Sequence, residues 1–269
     1  REVMQICDRY TVLRDGVMVA EGMVKDTSIN DLARFMVGHE VRTGTASRVC
    51  TRGEERLKLT NLTLEPCFRG INLTAYAGEV LGVTGLLGDG RSELFQTVFG
   101  AEPDYEGEIR VAGKPVKMKS TRQAVALGIG YVPRNRKENG IVKDMTILEN
   151  GSIVTWPQFV RHGFLDSRRQ RAQFELQRKA LSIKLDQTDD LITSLSGGNQ
   201  QKVVLAKWLS ANPRVLILDN PTQGVDVGAK EDIYDIIKRL ADHGVAVIVL
   251  SSEAQEMIRV CDRALVMYH

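Results

Sequence analysis

The chain has 269 residues, of which 43% are hydrophobic, and it can therefore bury the core of one large domain with additional segments. Its formal net charge is only +2, with acidic and basic residues interspersed, and this charge pattern gives no reason to expect a nucleic-acid partner. No apolar run approaches the roughly 18 residues of a membrane span, so we expect any membrane association to be peripheral.

The two ends of the chain share a repeat. Residues 2–9 (EVMQICDR) and 256–263 (EMIRVCDR) have Glu, Cys, Asp and Arg in the same register. In both copies a helix-like stretch ends near Cys-Asp-Arg, and an apolar strand pattern follows at residues 10–13 and 264–267. Chance similarity between short amphipathic helices is the alternative to a duplicated domain.

The duplication predicts a domain organisation. We expect the tail of a preceding domain at 1–40, a linker at 41–56 and a second copy of the domain at 57–269, with a helical subdomain at about 140–205. The linker prediction rests on Gly, Thr, Ser and charged residues with little periodicity. We therefore expect the chain to be a piece of a longer protein.

Strand-like and helical patterns alternate beyond the linker. This order predicts a parallel sheet covered by helices, and such sheets bind ligands beyond the carboxyl ends of their strands. The predicted strands are 79–84, 129–133, 215–219 and 245–251. The predicted helices are 92–100, 200–211 and 230–243, and 145–194 is predicted to be mainly helical.

A glycine-rich loop follows the first of these strands. It fits the P-loop pattern, except that Arg91 stands where lysine belongs. Glycines let backbone N–H groups face phosphate oxygens, and the following helix adds its positive end. A plain strand-to-helix turn is the alternative. The candidate nucleotide-binding residues are Gly85, Leu86, Leu87, Gly88, Asp89, Gly90, Arg91 and Ser92.

Two further features of this region bear on phosphate chemistry. Arginine at position 91 keeps the positive charge of lysine but has a bulkier planar fork, which predicts weak nucleotide binding or an altered geometry. Asp219 ends the aliphatic strand 215–218, as expected of a carboxylate that supports Mg²⁺ across from the hydroxyl of Ser92. A buried strand that ends in a helix-capping aspartate is the alternative reading.

A Ser-Gly-Gly segment opens a predicted helix just before that strand. Exposed backbone N–H groups and a hydroxyl at a helix start can hold a γ-phosphate presented by a different subunit. Taken alone, the segment is also compatible with an ordinary helix cap. Its residues are Leu195, Ser196, Gly197, Gly198, Asn199 and Gln200.

The order of P-loop, Ser-Gly-Gly segment and aspartate-ended strand resembles that of ABC ATPases over essentially the whole chain, including a D-loop with Asp226. The resemblance implies an α/β P-loop NTPase of the ABC ATPase fold, with a mainly parallel sheet core, an antiparallel β part and a helical subdomain. More narrowly, residues 128–133, Asn199 and 224–228 resemble the C-terminal half of fused ATPases from bacterial importers of ribose, galactose and xylose. Related importers of nucleosides or signalling sugars look similar.

This resemblance implies cofactors, partners and a location. The cofactors are ATP and Mg²⁺. The partners are a first nucleotide-binding half of the same full-length chain, integral-membrane permease subunits and, indirectly, a separate solute-binding protein. The location is the cytoplasmic face of the bacterial inner membrane. The four cysteines, which form no CxxC pattern, and the lack of a basic-then-apolar signal segment agree with a reducing compartment.

The sequence departs from the active ABC pattern at several positions. Asn220 replaces the glutamate that normally polarises water, Glu253 replaces the switch histidine, and Arg134 lies near the Q-loop glutamine position. Phe68 is the available, weak candidate for adenine stacking. We therefore expect this half to hydrolyse little ATP in its own site, while residues 195–200 complete the active site of the first half.

Other functions remain as alternatives to this expectation. A fully active ATPase needs another residue in place of Asn220 to orient water. An ABC protein that acts on ribosomes or DNA usually carries long charged insertions or coiled coils, which this sequence lacks. A sugar-binding role is disfavoured because the sequence has two tryptophans and no evident aromatic platform.

Overall fold

A computed structural model describes residues 2–14, 16–37, 48–86, 88–161 and 163–268. Its strands are β1 (Arg9–Arg14), β2 (Val17–Met23), β3 (Glu55–Leu64), β4 (Phe68–Tyr76), β5 (Val80–Gly85), β6 (Glu106–Val111), β7 (Lys114–Val116), β8 (Ile129–Val132), β9 (Val160–Arg161), β10 (Phe164–Leu165), β11 (Val215–Asp219), β12 (Ala246–Leu250) and β13 (Arg263–Met267).

The α-helices are α1 (Glu2–Ile6), α2 (Ile29–Val37), α3 (Arg91–Val98), α4 (Thr121–Ala126), α5 (Ile147–Ser152), α6 (Trp156–Phe159), α7 (Ser167–Ala180), α8 (Gly197–Leu209), α9 (Val227–Asp242) and α10 (Ala254–Val260). A short π-helix covers Arg136–Gly140.

A five-stranded parallel sheet forms the centre of the fold, in the order β13-β5-β12-β11-β8. Strands β11 (VLILD) and β12 (AVIVL) are buried along their whole length, as expected of aliphatic strands covered on both faces. Because all five strands run the same way, their carboxyl ends meet at one edge of the sheet. The loops after β5, β8, β11 and β12 therefore lie side by side.

A second sheet is antiparallel, in the order β4-β3-β6-β7, and packs into the same hydrophobic core as the parallel sheet. The chain thus combines a parallel core, an antiparallel β part and a helical region, as the family resemblance of the sequence implies. At the N-terminal end, α1 and β1 have the same order and spacing as α10 and β13, since the strands begin at Arg9 and Arg263 of the two repeats.

The structure adds detail to two predicted segments. Residues 145–194 are mainly helical, as predicted, but the hairpin β9–β10, which turns at Gly163 with a φ of +85°, and an irregular stretch after α7 interrupt the helices. The predicted linker 41–56 overlaps β3, which begins at Glu55, and Arg48 forms ion pairs with Asp242 and Asp262. Residues 41–47 lie outside the described residues.

Candidate functional site

The loop between β5 and α3 bends through glycines at positive φ. Gly88 has φ +86° and Gly90 has φ +81°, a region that L-residues with side chains rarely adopt. A Cβ on Gly90 would also overlap the backbone carbonyl of Cys67. Glycine at position 90 is therefore required both by backbone conformation and by space. Leu86 is exposed, and Leu87 lies outside the described residues.

Arg91 turns into this loop. Its Nη1 donates hydrogen bonds to the carbonyl oxygen of Gly85 at 2.8 Å and to Oδ2 of Asp89 at 3.0 Å. The backbone N–H of Arg91 donates to the other carboxylate oxygen of Asp89 at 3.1 Å. Arg91 and Asp89 are only 3% and 7% exposed. The charge that stands in the lysine position is thus neutralised by a carboxylate of the same loop.

Asp219 is the centre of the site at the carboxyl edge of the sheet. Ser92 Oγ donates to Asp219 Oδ2 at 2.9 Å, and Tyr131 Oη donates to the same oxygen at 3.1 Å. The amide Nδ2 of Asn220 donates to Oδ1 at 2.7 Å. Asp219 is buried, so these donors hold its carboxylate in one orientation.

Tyr131 was not predicted to belong to the site. Its burial and the neighbouring Asp219 carboxylate raise the pKa of the Tyr131 hydroxyl far above its ordinary value, so this hydroxyl stays a hydrogen-bond donor. The signal in the sequence is weak, because a tyrosine in a buried strand is usually part of the core. The pairing of β8 with β11, which places Tyr131 opposite Ile217, is what brings it to the site.

Ser92 and Asp219 suit a Mg²⁺ ion. Magnesium in phosphate sites is usually held by one or two oxygen side chains together with phosphate oxygens and waters, and a hydroxyl beside a carboxylate provides such a pair. Within the residues that the structure describes, no group of three or more His, Cys, Asp or Glu side chains could hold a metal by itself. The site therefore fits an ion that arrives with phosphate.

The Ser-Gly-Gly segment forms the start of α8, as predicted. Ser196 is the N-cap, since its Oγ accepts the backbone N–H of Asn199 at 3.4 Å and the Asn199 amide at 3.1 Å. Gly198 is required by packing, because a Cβ there would lie 2.5 Å from the Cβ of Ala229 on α9. The exposed Ser196 is thus presented on a rigid helix start.

The other residues predicted for this segment point inward. Leu195 packs against the hydrophobic core, and the amide of the buried Gln200 donates to the carbonyl of Leu195 at 3.1 Å. Among the described residues, no hydrogen bond or ion pair joins residues 195–200 to the loop 85–92. The structure therefore brings Ser92 and Asp219 together but leaves the Ser196 segment out of that site.

The remaining predicted positions lie around the same edge. Asp226 caps α9 by accepting the N–H of Ala229 at 2.9 Å. Arg134 donates from Nε to Gln223 Oε1 at 3.4 Å. Glu253 is exposed and pairs with Lys230 at 3.3 Å. Phe68 is buried in the core, so little of its ring surface is available to an adenine.

A buried glutamate, Glu256, lies under the loop after β11. Thr222 Oγ1 donates to its Oε1 at 2.8 Å, and Glu256 is 2% exposed. Burial raises the pKa of Glu256, and the neighbouring Glu253 carboxylate adds to the increase, whereas the hydroxyls of Ser251 and Thr222 act in the opposite direction. The folded protein therefore binds a proton at Glu256 more tightly than the unfolded chain.

We predict a pH dependence of stability from Glu256. Because its pKa is raised on folding, its contribution is fully present below the unfolded pKa, near 4.5, and is lost as pH rises through the folded pKa. The variant Glu256→Gln should therefore lose less stability between pH 4.5 and 8 than the wild type, as measured by urea denaturation. The exposed Glu138→Gln is the control and should keep the wild-type pH profile. Equal pH profiles for Glu256→Gln and the wild type would contradict the prediction.

None of the helices in the described part of the chain has the length and hydrophobicity of a membrane-spanning segment.

Comparison with known proteins identifies a family. The family described as "ABC transporter" matches residues 68–223 of this chain. The chain is 43% identical over 267 residues to the ribose import ATP-binding protein RbsA of Geobacillus kaustophilus, covering 99% of this chain and 54% of that protein. It is 44% identical over 268 residues to ribose import ATP-binding protein RbsA 3 of Rhizobium meliloti. That match covers 99% of this chain and 53% of the relative.

The chain spans about half the length of these curated relatives. Among solved structures, a nucleotide-free ATP-binding cassette from an ABC transporter superposes with a TM-score of 0.69 at 21% identity, covering 80% of this chain and 88% of that one. The dimeric structure of a bacterial ABC transporter cassette superposes with a TM-score of 0.67 at 23% sequence identity. The match covers 78% of this chain and 94% of that one. These likenesses establish the fold.

Proposed function

Because the chain belongs to the ABC transporter family, we propose that it is the second nucleotide-binding half of the ATPase of a bacterial sugar importer. The relatives named as ribose import proteins support this proposal, as does the match of this chain to about half their length. The likeness of α1–β1 to α10–β13 supports a tail of the first half at 1–40 and a second domain at 57–269. Importers of nucleosides or signalling sugars are the alternative.

The proposed ATP site is the loop 85–92, with Mg²⁺ held by Ser92 and Asp219. The observation that carries it is the 2.9 Å hydrogen bond between Ser92 Oγ and Asp219 Oδ2, at the end of the glycine loop and the start of α3. Phosphate oxygens are bound by N–H groups at such a helix start. Bound Mg²⁺ would neutralise charge on the phosphate oxygens.

We propose that this site turns over little ATP. Arg91 is paired with Asp89 and so is held back from a γ-phosphate. Asn220 cannot take a proton from water, and its amide already donates to Asp219. The negative Glu253, in the position of the switch histidine, would repel a γ-phosphate, although Lys230 offsets part of its charge. Together, the states of Arg91, Asn220 and Glu253 lead us to expect slow hydrolysis of ATP at this site.

The Ser196 segment would serve the site of the first half. Ser196 is exposed at the start of the 13-residue helix α8, and the partly exposed Gly197 next to it has no side chain. This arrangement suits a phosphate presented from outside the chain.

Binding of ATP would bring the two halves together. The helical region, about residues 140–205, would transmit this conformational change to permease subunits at the cytoplasmic face of the inner membrane. Solute choice would lie in those subunits and a separate binding protein.

The test is calorimetric titration of the chain with Mg-ATP, followed by a phosphate-release assay on the same sample. We expect binding without steady release, and we expect Asp219→Ala to weaken Mg-dependent binding while the exposed Asp144→Ala does not. Steady release that Asp219→Ala abolishes would overturn the low-turnover proposal in favour of a fully active half. Absence of binding would overturn the ATP site itself.

A further inference from the structure

A basic cleft lies between the π-helix that follows β8 and the loop that follows β11. It encloses about 360 Å³ and is lined by Arg134, Asn135, Arg136, Lys137, Gln223 and Gly224. Arg134 and Lys137 are exposed at its rim, whereas Arg136 is buried. The cleft therefore holds three cations at different depths, and short π-helical turns of this kind are frequent at functional sites.

The buried Arg136 has hydrogen-bonding groups and a charge that the protein itself satisfies only in part. It is 7% exposed, its Nε is buried without a hydrogen-bond partner, and its Nη1 has a long 3.3 Å hydrogen bond to Gln201. Burial lowers the pKa of the Arg136 guanidinium, and no carboxylate offsets that effect. A buried guanidinium without a counter-charge is unfavourable, and an anion that entered the cleft would relieve this condition.

The three cations of the cleft have no carboxylate partner among the ion pairs of the described residues. Within the part of the chain that the structure describes, the ion pairs involve other cations than Arg134, Arg136 and Lys137. Glu138 belongs to the same helical turn and is exposed, but it is in none of the ion pairs found among the described residues. The positive charges of Arg134, Arg136 and Lys137 are therefore not neutralised by an ion pair in the described part of the chain.

The cleft also borders the start of α8. A Cβ built on Gly197 would lie 3.1 Å from Arg136 Nη2 and 3.1 Å from the carbonyl oxygen of Gly224. The positive end of the α8 dipole therefore adds to the charge of the guanidinium. A compact anion with several acceptor oxygens suits such a concave set of donors better than a flat protein surface does.

We propose that this cleft is a phosphoryl-anion site, separate from the loop 85–92, which takes either the terminal phosphate of a polyphosphate or free phosphate. Arg136 binds at the bottom of the cleft, and Arg134 and Lys137 close over the anion from the rim. This site goes beyond the proposed ATP site and does not depend on nucleotide binding there.

The test uses calorimetry with tripolyphosphate and, separately, orthophosphate, in the absence of Mg²⁺. The rim variant Arg134→Gln/Lys137→Gln should weaken binding at least about tenfold. Lys119→Gln/Arg122→Gln is the matched control, since both residues are exposed and precede β8, whereas the cleft follows it. The control should bind as the wild type does.

A second variant separates the two sites. Gly88→Asp adds a carboxylate to the loop 85–92 at a position where φ is +86° and a Cβ meets nothing within 4 Å, and aspartate tolerates such a conformation. Gly88→Asp should keep the binding that the rim variant loses. Tripolyphosphate binding alone would identify a polyphosphate end as the ligand, and equal orthophosphate binding would identify free phosphate.

The opposite results would overturn the proposal. If Gly88→Asp abolished binding and the rim variant retained it, the anion would lie in the loop 85–92 and the cleft would be excluded. If neither probe bound to the wild type, the phosphoryl site would be excluded, and an acidic surface of another protein would be the remaining occupant. Loss of Mg-ATP binding by Gly88→Asp alone concerns the ATP site and leaves this test intact.

Discussion

Replacing Asp89 by asparagine is expected to strengthen Mg-ATP binding to the loop 85–92 by at least about tenfold, or about 1.4 kcal/mol. The carboxylate of Asp89 occupies the loop with its negative charge and holds Arg91 Nη1 at 3.0 Å. Asparagine removes the repulsion of phosphate, keeps the side-chain shape and still accepts the Arg91 N–H. The guanidinium would then be released to pair with phosphate oxygens.

The measurement is calorimetry in the Arg134→Gln/Lys137→Gln background, so that the basic cleft does not contribute. Asp104→Asn, an exposed aspartate outside the site, is the matched control and should leave the affinity unchanged. Asp89→Ala is a second variant with the same expected direction. An unchanged or weaker affinity in folded Asp89→Asn would show that the Asp89–Arg91 pair does not restrain nucleotide binding.

Gly90→Ala is expected to destabilise the protein by roughly 3 kcal/mol or more and to abolish Mg-ATP binding. Alanine at φ +81° is strained by about 1–2 kcal/mol, and its Cβ would overlap the backbone carbonyl of Cys67, which cannot move aside as a flexible side chain would. The loop would have to open, and its N–H groups would no longer converge on phosphate.

Gly88→Ala is the matched control for this effect. Its φ of +86° imposes the same strain, but a Cβ there meets no atom within 4 Å. Urea denaturation of both variants should therefore give a loss of about 1–2 kcal/mol for Gly88→Ala and a clearly larger loss for Gly90→Ala. Equal losses would mean that the overlap with Cys67 is relieved by a small backbone shift, and the space argument would be wrong.

Much of the parallel core could be predicted from local pattern. Residues 215–219 form a buried strand with the predicted ends, because an unbroken aliphatic run that ends in a polar residue has few other stable conformations in a soluble fold. The start of α8 was predicted from Ser196, whose cap is a contact within four residues. The apolar pattern alone indicated a helix only from residue 200, since Gly197 and Gly198 have low helical propensity and their turn depends on packing against α9.

The sequence predicted which segments meet at the site, but it did not predict all of the side-chain contacts there. Ser92 and Asp219 were expected to lie across from each other, because the glycine loop and Asp219 are both at the carboxyl ends of strands of a parallel sheet. The structure places Ser92 Oγ 2.9 Å from Asp219 Oδ2. The hairpin β9–β10 was missed, since strands of two residues carry no periodicity. Tyr131 was missed because its role comes from the strand next to it in space.

The sequence by itself determined the strands β5, β8, β11 and β12 of the parallel sheet, the glycine loop with Arg91 at its end and the Ser196 cap, since each depends on neighbours within a few residues. Only the tertiary structure decided which charged side chains are buried and which partners they have. Arg91 turns inward to Asp89, whereas Arg136 is buried without a counter-charge beside Gly197. The physical reason is that the energy of a charge is set by burial and by partners from distant segments, which become neighbours only when the sheet and helices pack.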